Sequence, residues 1–381
     1  IIKSVITQQH ISKIPANKQK KSQKQDEYRF TDLFCHTFSF FFLRYDLVGF
    51  AFEGEKISIG KLTLGKEVEI LQRSLKSGSS AQYWQQFAKA TIGEVHYNVP
   101  SLQLDGEAEH DKSCYGPFWQ SKIGKLYLSE EVERYPSYCF IDAYLEQDTL
   151  EIHAKSIGLR AFSSKNISIG TLTIGTEVQT FENVTSGYFT AFGQFMSCTI
   201  GRLVYLPVNA STGSDCDRGV FETAVIGALE IHDDVEVIPN YLFYEAVIEL
   251  EELTLNVPVI GYYAFAGSDI KFQKLTIEES VTTFLVNSSN YSRAFDSNTI
   301  EMLYYNATEA KTEKLASGVY GAFSYAKING LEIGALVKEI PYGCFRNAYM
   351  DIAELTIENA AIGYGAFYSS NIKIGTLNIG N

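Results

Sequence analysis

Apolar side chains recur along this chain in short alternating bursts. Apolar-x-apolar triplets begin at Leu62, Val95, Leu126, Leu150, Leu172, Leu203, Leu229, Leu253, Leu275, Leu303, Leu331, Leu355 and Leu377. In Leu172-Thr173-Ile174, Leu253-Thr254-Leu255 and Leu275-Thr276-Ile277 the two apolar side chains fall on one face of a strand and the threonine on the other. A phenylalanine stands 8 to 11 residues ahead of each triplet: Phe52, Phe87, Phe118, Phe140, Phe162, Phe192, Phe221, Phe243, Phe265, Phe295, Phe323, Phe345 and Phe367. One short strand with one apolar face is not stable alone. Copies stacked side by side bury that face and pair their backbones.

The pattern therefore predicts a mainly β or mixed solenoid of about 13 coils, each 22–33 residues long, with a parallel sheet on one wall and a phenylalanine spine behind it. Ala161, Ala264 and Ala366 precede their phenylalanines, and a small residue there lets adjacent coils approach. Gly158, Gly261 and Gly363 lie four residues before a spine phenylalanine, as a turn into that wall would require. A longer period overlies the first. Leu126, Leu229 and Leu331 are 103 and then 102 residues apart, and the next two triplets of each set keep that spacing. The expected organisation is a degenerate first coil with a Lys-rich insertion over residues 1–39, then one continuous solenoid over 40–381. Four-coil cassettes lie near 95–202, 203–302 and 303–381. Longer coils carry their extra residues between strand and phenylalanine, as loops on one side.

Val235-Glu236-Val237-Ile238-Pro239 and Val337-Lys338-Glu339-Ile340-Pro341 share the pattern Val-x-x-Ile-Pro. With the following Phe, Leu-x-Ile and Ile-Gly-x-x-Ala-Phe, the chain from about residue 40 to 381 resembles the BspA-type leucine-rich repeats. The resemblance implies a right-handed solenoid with the parallel sheet on its concave side, in surface or secreted proteins that bind host or matrix components. It carries over no catalytic residue. The buried Asn ladder of the common leucine-rich repeat does not recur here.

Charge is uneven. The net is −13 overall. Residues 1–29 hold seven Lys/Arg against Asp26 and Glu27, so the rest carries −18. An acidic body lacks the basic footprint that nucleic acid demands. The run from Phe38 to Phe52 is broken by Arg44 and Asp46 and falls short of the ~20 apolar residues of a spanning helix, so no membrane span is expected. Six N-x-S/T sequons, at Asn166, Asn183, Asn209, Asn287, Asn290 and Asn306, point to a secreted or cell-surface chain, with a cytoplasmic one as the alternative. Cys139 and Cys344 share one repeat position, too many coils apart to bond. Cys198 and Cys216 are the candidate disulfide.

No constellation of catalytic or metal-ligating residues stands out, and neither a cofactor nor a metal is implied. The outward column of the sheet offers binding residues instead: Tyr127, Glu151, Thr173, Glu230, Thr254, Thr276, Tyr304, Glu332 and Thr356. Its carboxylates never fall on adjacent coils. His153 and His232 follow strands without a Ser or Cys partner in register, and Glu252 faces Lys274 as a surface ion pair. The expected function is non-enzymatic binding or adhesion to a protein or glycan. The alternative is a scaffold or filament subunit stacking end to end, because no polar cap follows Leu377.

Overall fold

The computed structural model describes residues 51–68, 70–72, 82–104, 114–183, 193–212, 218–312, 318–358 and 360–380. All belong to one compact unit, Asp32–Asn381. The expected coil over 1–39, with its Lys-rich stretch, lies outside the described residues, as does Phe38 to Phe50. Among the described residues there is no helix. Within the described residues a parallel sheet of fifteen strands passes through thirteen successive rows, from Ser58–Leu64 to Ile372–Ile379. Two of its strands, Leu229–Ile231 and Leu331–Ile333, continue rows opened by Val225–Ile226 and Lys327–Ile328. Every triplet lies in this sheet. Two four-stranded ribbons of two-residue strands, such as Val237–Ile238 and Val259–Ile260, flank it.

The cassette is visible as a register shift. Leu150, Leu172, Leu203 and Leu229 pair in sequence, as do Leu253, Leu275, Leu303 and Leu331. At the entry to each long strand the pairing is offset: Ile123 faces Leu145, Ile226 faces Ile248, and Ile328 faces Met350. The nine-residue strands Tyr144–Ile152, Val247–Leu255 and Tyr349–Ile357 thus hold two residues more than their predecessors between these pairs and the conserved-spacing leucine. The addition points one extra side chain inward: Leu250 and Ile352 are buried, and Gln147 takes that place in the first cassette. The Gln147 amide replaces what Leu126 lost across the shift. Leu126 N donates to its Oε1 at 2.8 Å, and its Nε2 donates to Leu126 O at 3.1 Å.

Behind the sheet, among the described residues, runs an unbroken stack of thirteen phenylalanine rings. Successive centroids are 4.8–5.6 Å apart and neighbouring planes are within 25° of parallel. One member differs from expectation. Phe195, not Phe192, stacks between Phe162 and Phe221; Phe192 lies outside the described residues. With Phe195 in place, every phenylalanine-to-triplet spacing is 8 or 10 residues. The spacing of 11 from Phe192 was the one that broke this rule. The longer spacing belongs to rows with the extra inward residue.

The phenylalanine wall is built of alternating backbone. Residues two before or two after a spine phenylalanine adopt positive φ although few are glycine: Tyr138 and Asp142 about Phe140, Tyr241 and Glu245 about Phe243, Arg293 and Ser297 about Phe295. The alternation turns every second N–H toward the next coil. Tyr241, Phe243 and Glu245 donate to the carbonyls of Tyr262, Ala264 and Ala266 at 2.8–3.1 Å. These bonds hold side chains in a left-handed region that costs about 1–2 kcal/mol per residue. The glycines four residues ahead serve a different need from the one expected. Gly158 and Gly261 do not have positive φ; a Cβ on either would sit 2.4–2.5 Å from a backbone nitrogen of the preceding coil. Close approach of two chains excludes the side chain.

Cys198 is a buried thiol donating to Phe162 O at 3.1 Å, and burial pushes it up to about 12. It is not in a disulfide, which corrects the candidate pairing; Cys216 lies outside the described residues. Cys139 and Cys344 are buried.

Candidate functional site

The residues of the outward column fall into register along the sheet. Thr63, His96 and Tyr127 pair in register; so do Glu151, Thr173, Val204 and Glu230, then Thr254, Thr276, Tyr304 and Glu332, then Thr356 and Asn378. Strand alternation sends them all outward. Tyr127 is 43% exposed, and Glu151, Glu230, Thr254 and Glu332 are exposed. Thr173, Tyr304 and Thr356 are half-buried. Thr276 departs from expectation at only 7% exposure. Its short side chain lies in register beside the larger Tyr304, over whose ring the Lys274 ammonium sits at 5.5 Å.

Much of the polar chemistry on this face is spent on neighbours. Lys274 Nζ bonds Glu252 Oε1 at 2.7 Å, the expected pair. Arg202 pairs with Glu230, and Asn378 Nδ2 donates to Glu354 Oε1 at 2.8 Å. The His96 ring stacks on Tyr127 at 4.5 Å and its Nε2 bonds Glu94 Oε2 at 3.1 Å, which holds the Glu94 carboxyl below its ordinary value. His153 lies between Glu151 and Glu177, 3.3 and 3.4 Å away. Apolar exposure collects at the strand entries, at Tyr144, Val225, Val247 and Tyr349. Among the described residues no group of three or more His, Cys, Asp or Glu is placed to hold a metal ion. No helix there is long and apolar enough to cross a membrane.

A second surface was not singled out from the sequence. On the phenylalanine wall of the C-terminal coils, tyrosines gather around two arginines. The Arg293 guanidinium lies 4.6 Å from the Tyr325 ring and 5.4–5.9 Å from those of Tyr263, Tyr291 and Tyr320. Arg346 covers Tyr320 at 4.5 Å and Tyr368 at 5.4 Å. Arg293 also donates to the Tyr263 hydroxyl at 3.1 Å and pairs with Asp296 at 2.5 Å. Burial pushes the Asp296 carboxyl up, and the opposing pull of Ser297 and Arg293 does not cancel it. Glu245 is raised as well, by partial burial and then by the carboxylates of Glu222, Asp269 and Asp296. Beside this cage a concavity of about 490 Å³ opens between Tyr244, Glu245, Tyr263, Asn287 and Arg293. The sequence analysis did not single out these tyrosines. The available signal was position: Tyr241, Tyr263, Arg293 and Tyr325 each stand two residues from a spine phenylalanine.

Comparison with known families decides the class. The model for the BspA type leucine rich repeat region matches in six copies over residues 109–190, 215–303 and 301–381. The chain belongs to that family. Among solved structures it is similar to the pneumococcal vaccine antigen PcpA, at 12% identity and a TM-score of 0.35, over 87% of this chain and 91% of that one. No curated protein matches it.

Proposed function

We propose that this BspA-type repeat protein is a non-enzymatic binding protein of the cell surface or extracellular space, holding a protein or glycan on the outward face of its long sheet. One observation supports the reading above others. Outward side chains keep register along the rows of each cassette, and Tyr127, Tyr144 and Tyr349 among them stay exposed. Exposed tyrosines give large, adaptable contact area at low entropic cost. The family match supports a repeat protein of this kind. The test is a matrix-protein and glycan array, repeated with Tyr127, Glu230, Tyr304 and Glu332 replaced together by alanine. A loss of about tenfold or more in affinity is expected. Undiminished binding overturns the sheet face as the site.

A second reading rests on the cassettes, which join one another within the chain through the same strand register, Leu172 on Leu203 and Leu275 on Leu303. A second copy of the chain stacking on the first in the same way would make it a scaffold subunit. Light scattering at high concentration separates the readings: a strict monomer rules out end-to-end assembly of this chain.

A further inference from the structure

The concavity on the phenylalanine wall has the composition of a site. Its volume of about 490 Å³ falls in the ~300–1,000 Å³ range of small-molecule pockets. Tyr241 and Tyr263, from successive coils, are parallel within 9° at 5.3 Å, and Tyr244 meets both edge-on at 5.4 and 6.1 Å. The backbone beneath is fixed by the coil-to-coil bonds of Tyr241, Phe243 and Glu245, so the rings are preorganised.

The polar groups select among ligand classes. An anion wants donors alone, yet Glu245 and Asp296 line the site and Arg293 is already paired with Asp296. A cation wants acceptors and bare aromatic faces, yet Arg293 itself fills the tyrosine cage. A hydroxyl-rich neutral ligand wants donors and acceptors together, with a ring face for its C–H groups. The site offers that mixture. Asn287 Oδ1 is held by the backbone N–H groups of Ser289 and Tyr291, both at 3.0 Å, which leaves its Nδ2 as a donor. Exposed Glu245 supplies an acceptor. We propose that this wall pocket binds a neutral saccharide, its apolar ring face against Tyr244 and Tyr263 and its hydroxyls shared between Glu245 and Asn287. This site is separate from the sheet face, so the two stand or fall independently.

Asn287 heads a sequon, so the protein for the test is the full chain made without N-glycosylation. The probe is a panel of neutral disaccharides of hexoses and N-acetylhexosamines, with sulfated disaccharides and a trimethyllysine peptide alongside, read by saturation-transfer NMR and calorimetry. Tyr244→Ala and Glu245→Gln are the variants, since neither removes a spine residue and the second keeps side-chain size at a positive-φ position. Binding of a neutral disaccharide is expected, weakened about tenfold by Tyr244→Ala. Glu245→Gln should weaken it about fivefold. Circular dichroism matching the parent verifies that both variants are folded. The alanine variant of Tyr127, Glu230, Tyr304 and Glu332 should bind the disaccharide normally. Binding of only the sulfated or only the trimethylated probe overturns the assignment. So does binding of none, or neutral-sugar binding indifferent to both substitutions.

Discussion

The sheet face and the phenylalanine wall are cut from the same coils, yet they use their side chains in opposite ways. On the sheet, outward residues stand on a regular ladder, and their ion pairs are exposed at both ends: 44% and 56% for Lys274–Glu252. On the wall, residues two positions from the spine hang on left-handed backbone, and the Arg293–Asp296 pair is exposed only 25% and 10%. Regularity of backbone therefore does not locate the concentrated chemistry. A flat ladder keeps charges at solvent dielectric, where a pair is worth ~0–1 kcal/mol. The turn wall folds charges between rings, where removing one partner strands the other.

The largest effect that tests this contrast lies beneath the wall. Phe265 is fully buried, stacked on Phe243 at 5.0 Å and Phe295 at 5.4 Å. Phe265→Ala should cost about 3–5 kcal/mol. Hydrogen exchange should show the loss first in the coils on either side, because each coil contacts only its neighbours. Uniform loss of protection along the whole chain would contradict the stacked-coil account. Next in size is Arg293→Ala, which empties the cage and leaves Asp296 without its ion-pair partner. It should cost about 2 kcal/mol in thermal or urea unfolding. Lysine should restore only part of that, since it lacks the planar fork and its stacking.

Acid separates the wall from the flank of the sheet. Burial alone would raise Glu182, but the hydrogen bonds of Arg134 and Ser156 outweigh it and hold the carboxyl below its ordinary value. A lowered carboxylate contributes stability above its unfolded value, near ~4.3, that is lost as pH falls through the folded value. Asp296 is raised, so its contribution is complete below the unfolded value and lost as pH rises through the folded one. Acidification from about pH 6 to 3 should therefore strip exchange protection around Ser156 and Glu182. The same change should relieve the burial cost of Asp296. Glu182→Gln should flatten the first response. Equal loss in both places would deny the distinction.

What was legible in the sequence follows from what repeats strictly. The triplets, the spine and the cassette spacing rest on apolar residues that must be buried in every coil, and the ring stack departs from the expected spine at one place, where Phe195 stands instead of Phe192. There, a second phenylalanine three residues on offered a competing match, and only the two-valued spacing of 8 or 10 resolves it. The register shift was hidden because the extra inward residue is Gln147 in one cassette and Leu250 or Ile352 in the others, so no single residue type marks it. The tyrosine wall was hidden for another reason. Positive φ at Tyr241, Glu245 and Arg293 is imposed by hydrogen bonds between coils, not by glycine, so no local residue signals which way those side chains turn.

The smallest expected effect is the sharpest test of the contrast, because it predicts almost nothing. Arg202 pairs with Glu230 across adjacent strands, and the two side chains are 56% and 45% exposed. Both project from backbone that the ladder already fixes, as Leu203 pairs with Leu229. Neither is needed to order the strands. Solvent screens the pair, and holding two long side chains together costs rotamer entropy. Arg202→Ala and Glu230→Ala should each change stability by no more than about 0.5 kcal/mol, and a double-mutant cycle should return a coupling of similar size that shrinks with added salt. A coupling above about 1.5 kcal/mol would place this pair with buried ones. The sheet face would then be an electrostatically organised surface like the wall, and the division between the two faces would fail at the point where it is drawn most clearly.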